Sequence, residues 1–152
     1  MYLEDRHQIL DQAGFKITDR AGQMELWTND SGVICCIAIQ EYVSIEAFKT
    51  TFQTILSIAS KANFHTLIFD KRALTTFHQP TMEWYYVDWK VSAAELGIVN
   101  HFKILPPMEW FQKAVAIAKE GLDAQLKEKT GDRVVIRYTG TLKEGISKCI
   151  LV

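Results

Sequence analysis

No apolar run in this chain approaches the length needed to cross a bilayer, so no integral membrane segment is expected. Cysteine is scarce: three in 152 residues, with Cys35 and Cys36 adjacent and Cys149 far away. That spacing excludes a disulfide framework and makes a reducing cytoplasm the expected compartment. Neighbouring residues on a strand point to opposite sides, so Cys35 and Cys36 read as two small buried residues. An excess of charge of one sign is missing too. Seventeen Lys and Arg face eighteen Asp and Glu, for a net charge of −1, and no nucleic-acid partner is indicated. The opening residues, MYLEDRHQIL, have neither the basic region nor the apolar segment of a secretory leader. The histidines His7, His65, His78 and His101 are scattered without paired ligand spacing, so no metal site is expected. There is no Walker phosphate loop, dinucleotide glycine fingerprint, nucleophile elbow or zinc-protease motif. No cofactor is called for, and no motif names a catalytic residue.

What is present is an ordinary globular composition, 48 % apolar, long enough for one domain with a real core. The organising stretch runs from His65 to Gly97. Thr66 to Phe69 is a continuous apolar run ending in Asp70-Lys71-Arg72. Such a run suits a strand covered on both faces, as in parallel sheets. After Pro80, Met82, Tyr85, Tyr86, Trp89, Ala93 and Leu96 recur at helical spacing. Thr81 is placed to cap that helix, Glu83 suits its first turn, and Gly97 ends it. Ligands of α/β sheets sit beyond the carboxyl ends of strands, beside helix N-termini. The loop from Asp70 to Thr81 is therefore the place to look for function.

Around that unit the chain reads in order. Residues 1–13 suit a short helix stopped by Gly14. Phe15 to Thr18 and Met24 to Thr28 form a hairpin around Ala21-Gly22. Asn29-Asp30-Ser31-Gly32 is a turn, and VICCIAIQ (33–40) a core strand. Ser44 caps a helix with Ile45, Phe48, Phe52, Ile55, Ala59 and Ala62 on one stripe, ending near Asn63. NHFKIL (100–105) is a strand stopped by Pro106-Pro107, and a helix follows over Met108 to Lys127. RVVIRYT (133–139) is the last strand, and Thr141 caps a short terminal helix. This alternation predicts an α/β layer structure: a mixed sheet of about five strands with helices packed on it. The sheet opens with an antiparallel hairpin and continues in parallel. Residues 1–23 are expected as an N-terminal extension, 24–127 as the core and 128–152 as a C-terminal strand and helix, all in one domain.

The hairpin, the capped helix, the apolar strand ending in Asp70 and the hydroxyl-led helix resemble the STAS-like fold. That is the fold of sporulation anti-anti-sigma factors and related lipid-binding modules. IFDKRAL, HQPTMEWYYVDW, HFKILPP and WFQKAV look closest to small bacterial proteins of unknown function with that fold. The resemblance covers roughly Glu25 to Leu122. It implies a regulatory or binding role. In anti-anti-sigma factors a phosphorylatable hydroxyl opens the helix after this strand, and Thr81, eleven residues after Asp70, takes that position here. The Asp-Ser-x-Gly-like turn of those factors is absent: Gln79-Pro80-Thr81-Met82 has neither the aspartate nor the glycine.

Three constellations remain. Asp70, Lys71 and Arg72 could hold an anionic ligand at the strand end, or form a local ion pair. His78 with Glu83, and with Asp88 on the same helix, could be an acid–base pair, or a loop histidine facing the helix N-terminus. Trp84, Tyr85, Tyr86, Trp89, Trp110 and Phe111 are more aromatics than one core stripe can take. Trp84 lies about 100° from Tyr85 and roughly opposite Tyr86 on the wheel. Some should reach the surface as a partner face or groove.

The leading expectation is a non-enzymatic STAS-like binding domain. Its surface would be the 70–80 loop and the next helical turn, with Asp70, Lys71, Arg72, His78, Thr81 and Trp84. The partner would be a regulatory protein, a small apolar or amphipathic ligand, or a second copy as a homodimer. The alternatives are a small enzyme built on Asp70, His78 and Glu83, and a phosphoregulated antagonist with Thr81 as acceptor.

Overall fold

The computed structural model describes residues 5–20, 23–76 and 78–149. Helix α1 (Arg6–Gln12) leads into strands β1 (Lys16–Arg20), β2 (Met24–Thr28) and β3 (Val33–Ala38). Helix α2 (Ile45–Ala59), strand β4 (Thr66–Asp70) and helix α3 (residues 79–95) follow. Strand β5 (Asn100–Ile104), helix α4 (Glu109–Thr130), strand β6 (Val135–Tyr138) and helix α5 (Leu142–Cys149) complete the order. The sheet has six strands, one more than the sequence suggests, in the order β1-β2-β3-β4-β5-β6. The first two pairings are antiparallel and the last three parallel, so the expected α/β class and its opening hairpin hold. Residues 16–20, assigned to the N-terminal extension but also expected as one arm of a hairpin with Met24 to Thr28, do pair with β2 and form the sheet's first edge.

Local chemistry fixes the turns. Asn29 Oδ1 accepts from the Ser31 and Val33 amides, both at 3.0 Å, and Gly32 (φ +87°) completes the reversal into β3. A Cβ at Gly32 would also lie 2.7 Å from the His65 ring, so that position admits no side chain. Ser44 caps α2 as expected, its hydroxyl accepting from the Ala47 amide at 3.1 Å. That helix ends at Ala59, one turn short of Asn63. Thr141 caps α5, accepting from the Glu144 amide at 3.1 Å. Gly97 (φ +100°) ends α3, with the Ile98 amide turning back to the Ala93 carbonyl.

Alternation along the strands divides the core into two layers. Ile34, Cys36, Leu67 and Phe69 face α2, α3 and α4. Val33, Cys35, Ile37, Ile68, Phe102 and Ile104 face α1 and α5. Cys35 and Cys36 are thus buried on opposite sides, and burial raises both thiol pKa values, with Asp70 adding to the rise. The three long helices lie on one face because each parallel crossover steps to the next strand in the same direction. Helix α1 is fastened by Arg6, which donates to the Ala38 carbonyl at 2.8 Å.

Helix α3 departs from the regular pattern. Its middle turn, Tyr85–Trp89, is a π-turn between two α-helical pieces, Gln79–Trp84 and Lys90–Glu95. The wider turn carries one extra residue. It lets Tyr85, Tyr86 and Trp89 all face the sheet, each 1 % exposed or less. Trp84 is half-buried, while Leu96, expected on the buried stripe, is exposed. Of the aromatics expected to reach the surface, Trp110 on α4 does so at 54 % exposure. No helix of the described residues is long and apolar enough to cross a membrane.

Candidate functional site

Residues 71–76 leave β4 at its carboxyl end and, with His78, meet the N-terminal parts of α2 and α3 around a cavity of about 180 Å³. Its walls are largely carbon: Val43, Ile45 and Phe48 from the α2 side, Phe69 from the sheet, Met82 and Tyr85 from α3, Phe111 from α4. Polar groups enter at Lys71, Thr76, His78 and Thr81. The strand order has no switch point, yet the cavity occupies the expected place beyond the parallel strand ends.

The expected site residues separate. Lys71, His78 and Thr81 line the cavity. Asp70 and Arg72 do not. Asp70 is fully buried on the opposite face, where Arg72 donates through Nε to Oδ1 at 3.0 Å and Nη2 to Oδ2 at 2.7 Å. Arg6 adds a longer contact to the same carboxylate at 3.7 Å. Trp84 and Glu83 line a separate shallow depression with Val87 and Leu122. Lys49 holds its ammonium 5.4 Å from the Trp84 ring centre. The acids Asp70 and Glu83 therefore share no cavity with His78.

Thr81 is not the helix cap. His78 is, and Thr81 stands at the third helical position, 8 % exposed. Pro80, the second helical residue, is tolerated there because its missing N–H costs nothing in the first turn. His78 Nδ1 accepts from the Thr81 amide at 3.3 Å and from its hydroxyl at 2.8 Å, which assigns the ring proton to Nε2. The hydroxyl is engaged as a donor, and a kinase would have to open this turn to reach it.

Behind the cavity is a cluster that the sequence reading passes over. Lys71, Lys90 and Lys103 are all buried, and all three surround Tyr85. Their ammonium nitrogens lie 5.8, 4.3 and 5.1 Å from the Tyr85 ring centre. Lys71 also sits 5.0 Å from the Phe69 ring, and Lys103 4.4 Å from that of Tyr86. Lys103 Nζ donates to the Tyr86 hydroxyl at 2.8 Å, and Lys90 Nζ reaches His101 Nδ1 at 3.4 Å. No carboxylate of the described residues forms an ion pair with any of these three lysines. Aromatic ring faces, rather than carboxylates, surround these amines. Among the described residues, the Tyr85 hydroxyl and His101 Nε2 are buried with no hydrogen-bond partner.

Ionisation follows the burial. Burial lowers Lys71 to about 8, and the Lys119 charge adds to the lowering. Burial, then the neighbouring Lys71 charge, pulls Lys90 well below its ordinary value. Burial, then Lys90, does the same for Lys103. His101 is lowered by burial and by the charges of Lys90 and Lys103. Tyr85 and Tyr86 are raised, chiefly by burial. A signal for this cluster exists in the sequence. On a strand covered on both faces, His101 and Lys103 alternate with Phe102 and Ile104 and must be buried too.

Comparison with protein-family models, curated proteins and solved structures finds no match to this chain.

Proposed function

We propose that the chain is a non-enzymatic binding domain of the STAS-like type, and that it takes a small apolar or amphipathic molecule in the cavity lined by Lys71, Thr76, His78 and Thr81. The carrying observation is the cavity itself. It is lined mainly by carbon, sits at the carboxyl ends of the parallel strands, and has a few polar groups at Lys71, Thr76, His78 and Thr81. That combination is the usual make-up of a small-ligand site. The volume sets the size of the occupant, since a dry cavity of about 150 Å³ is known to hold one benzene molecule. Separation of Asp70 and Glu83 from His78 favours binding over acid–base chemistry.

The test is a methyl-detected NMR titration with benzyl alcohol. The Met82 methyl should shift with ligand while that of Met24, buried beside Cys36, stays fixed. Thr76 is exposed at the cavity mouth, so Thr76→Trp should block the titration without unfolding the protein. Absence of any Met82 shift in the unmodified protein would refute the proposal.

A further inference from the structure

We infer that the occupant of this cavity is a small monocarboxylic acid, of the size of benzoate, whose carboxylate pairs with Lys71. The inference rests on the cavity being a ligand site and adds the chemical class of the ligand. Lys71 lines the cavity and is 6 % exposed. Its ammonium has no carboxylate partner and no hydrogen-bond acceptor among the described residues. The ring faces of Phe69 and Tyr85 lie 5.0 and 5.8 Å from it. A buried cation without an acid is costly, and an incoming carboxylate removes that cost.

The surroundings select against other classes. A cationic ligand would set a second positive charge beside the Lys71 ammonium and is repelled. A neutral apolar molecule satisfies the walls and leaves the amine unpaired. A phosphate dianion carries two charges and would meet a single ammonium. Among the described residues, Lys71 is the one lysine or arginine lining the cavity, whose other donors are Thr76, the His78 ring and the hydroxyls of Tyr42 and Tyr85, the Thr81 hydroxyl being already given to His78. One carboxylate on a body of about six to eight carbons matches the charge and the volume of about 180 Å³. The lowering of the Lys71 pKa to about 8 by burial agrees with an amine that lacks its acid.

Calorimetric titrations of the full chain with benzoate, benzyl alcohol and benzylamine test this. Benzoate should bind at least tenfold more tightly than benzyl alcohol, and benzylamine more weakly than either. Lys71→Met, which keeps the apolar contact and removes the charge, should bring benzoate down to the level of benzyl alcohol. Equal binding of benzoate and benzyl alcohol by the unmodified protein would overturn the assignment of the acid and leave the cavity as a neutral site. Tight benzoate binding that survives Lys71→Met would overturn the role of Lys71. Binding of none of the three would overturn both the acid and the ligand site.

Discussion

Lys71 is a buried amine whose burial works against the fold. Its neighbour Asp70 is consumed by Arg72 on the far side of the sheet, so the acid nearest in sequence is unavailable to it. Moving its pKa from 10.5 to about 8 corresponds to on the order of 3 kcal/mol of unfavourable burial, an upper bound. Lys71→Met should therefore stabilise the ligand-free protein by about 1–3 kcal/mol at pH 7, read as a rise in the urea midpoint with unchanged slope. A loss of stability would mean that the contacts with Phe69 and Tyr85 outweigh desolvation. The sequence shows Asp70-Lys71-Arg72 as a unit but not its division between two faces. That division follows from strand alternation carried one residue past β4, with Ile68 and Asp70 on one side and Phe69 and Lys71 on the other. His78 escapes recognition as a cap for a different reason. Histidine is a rare cap, and a threonine after a proline is the stronger local signal.

At the level of elements, α3 was only half legible. The apolar stripe from Met82 to Ala93 marks a helix, and both its capping glycine and its contact with the sheet follow. The π-turn does not follow, because nothing in a wheel drawn at 3.6 residues per turn allows for an added residue. Two adjacent buried tyrosines, Tyr85 and Tyr86, were the clue. An inserted residue can be removed without changing the phase of the helix on either side. Deletion of the exposed Asp88, inside the wide turn, should therefore cost less stability than deletion of the exposed Ser92, one turn later. Thermal melts of the two variants compare them directly. A larger loss for the Asp88 deletion would show that the π-turn is held by its own contacts, such as the Lys103–Tyr86 hydrogen bond at 2.8 Å. The strands and the other helices were easier to read. Their two-residue and 3.6-residue periods, and caps such as Ser44 and Thr141, are local properties.

For the whole molecule, the buried amines set an unusual response to pH. Lys71, Lys90 and Lys103 all have lower pKa values folded than unfolded, so the unfolded chain binds more protons between about pH 8 and 10. Stability then rises with pH in that window, with a slope of about 1.4 kcal/mol per pH unit for each proton of difference. His101, lowered from 6.5, acts in the same direction as pH climbs through the region just below that value. The raised cysteine and tyrosine values oppose the trend above their unfolded values of 9.0 and 10.0. The protein should accordingly be more stable at pH 8.5 than at pH 6, as urea titrations at the two values would show. A flat or falling profile would mean that the three lysines are charged and solvated in the folded state.

Every strand of the sheet pairs with the strand that precedes it along the chain. No segment has to wait for a distant one before it can be placed. The hairpins β1–β2 and β2–β3 can form first, and each later strand arrives with its own crossover helix and adds to the growing edge. Among the described residues, the first and last helices, α1 and α5, touch each other and place Leu10 and Leu142 in one layer of the core. Topologies built from near-neighbour pairings meet smaller loop-closure barriers and fold faster than those needing remote partners. Assembly in this order also suits a chain that emerges from the ribosome one end first, with the docking of its two terminal helices as the closing step.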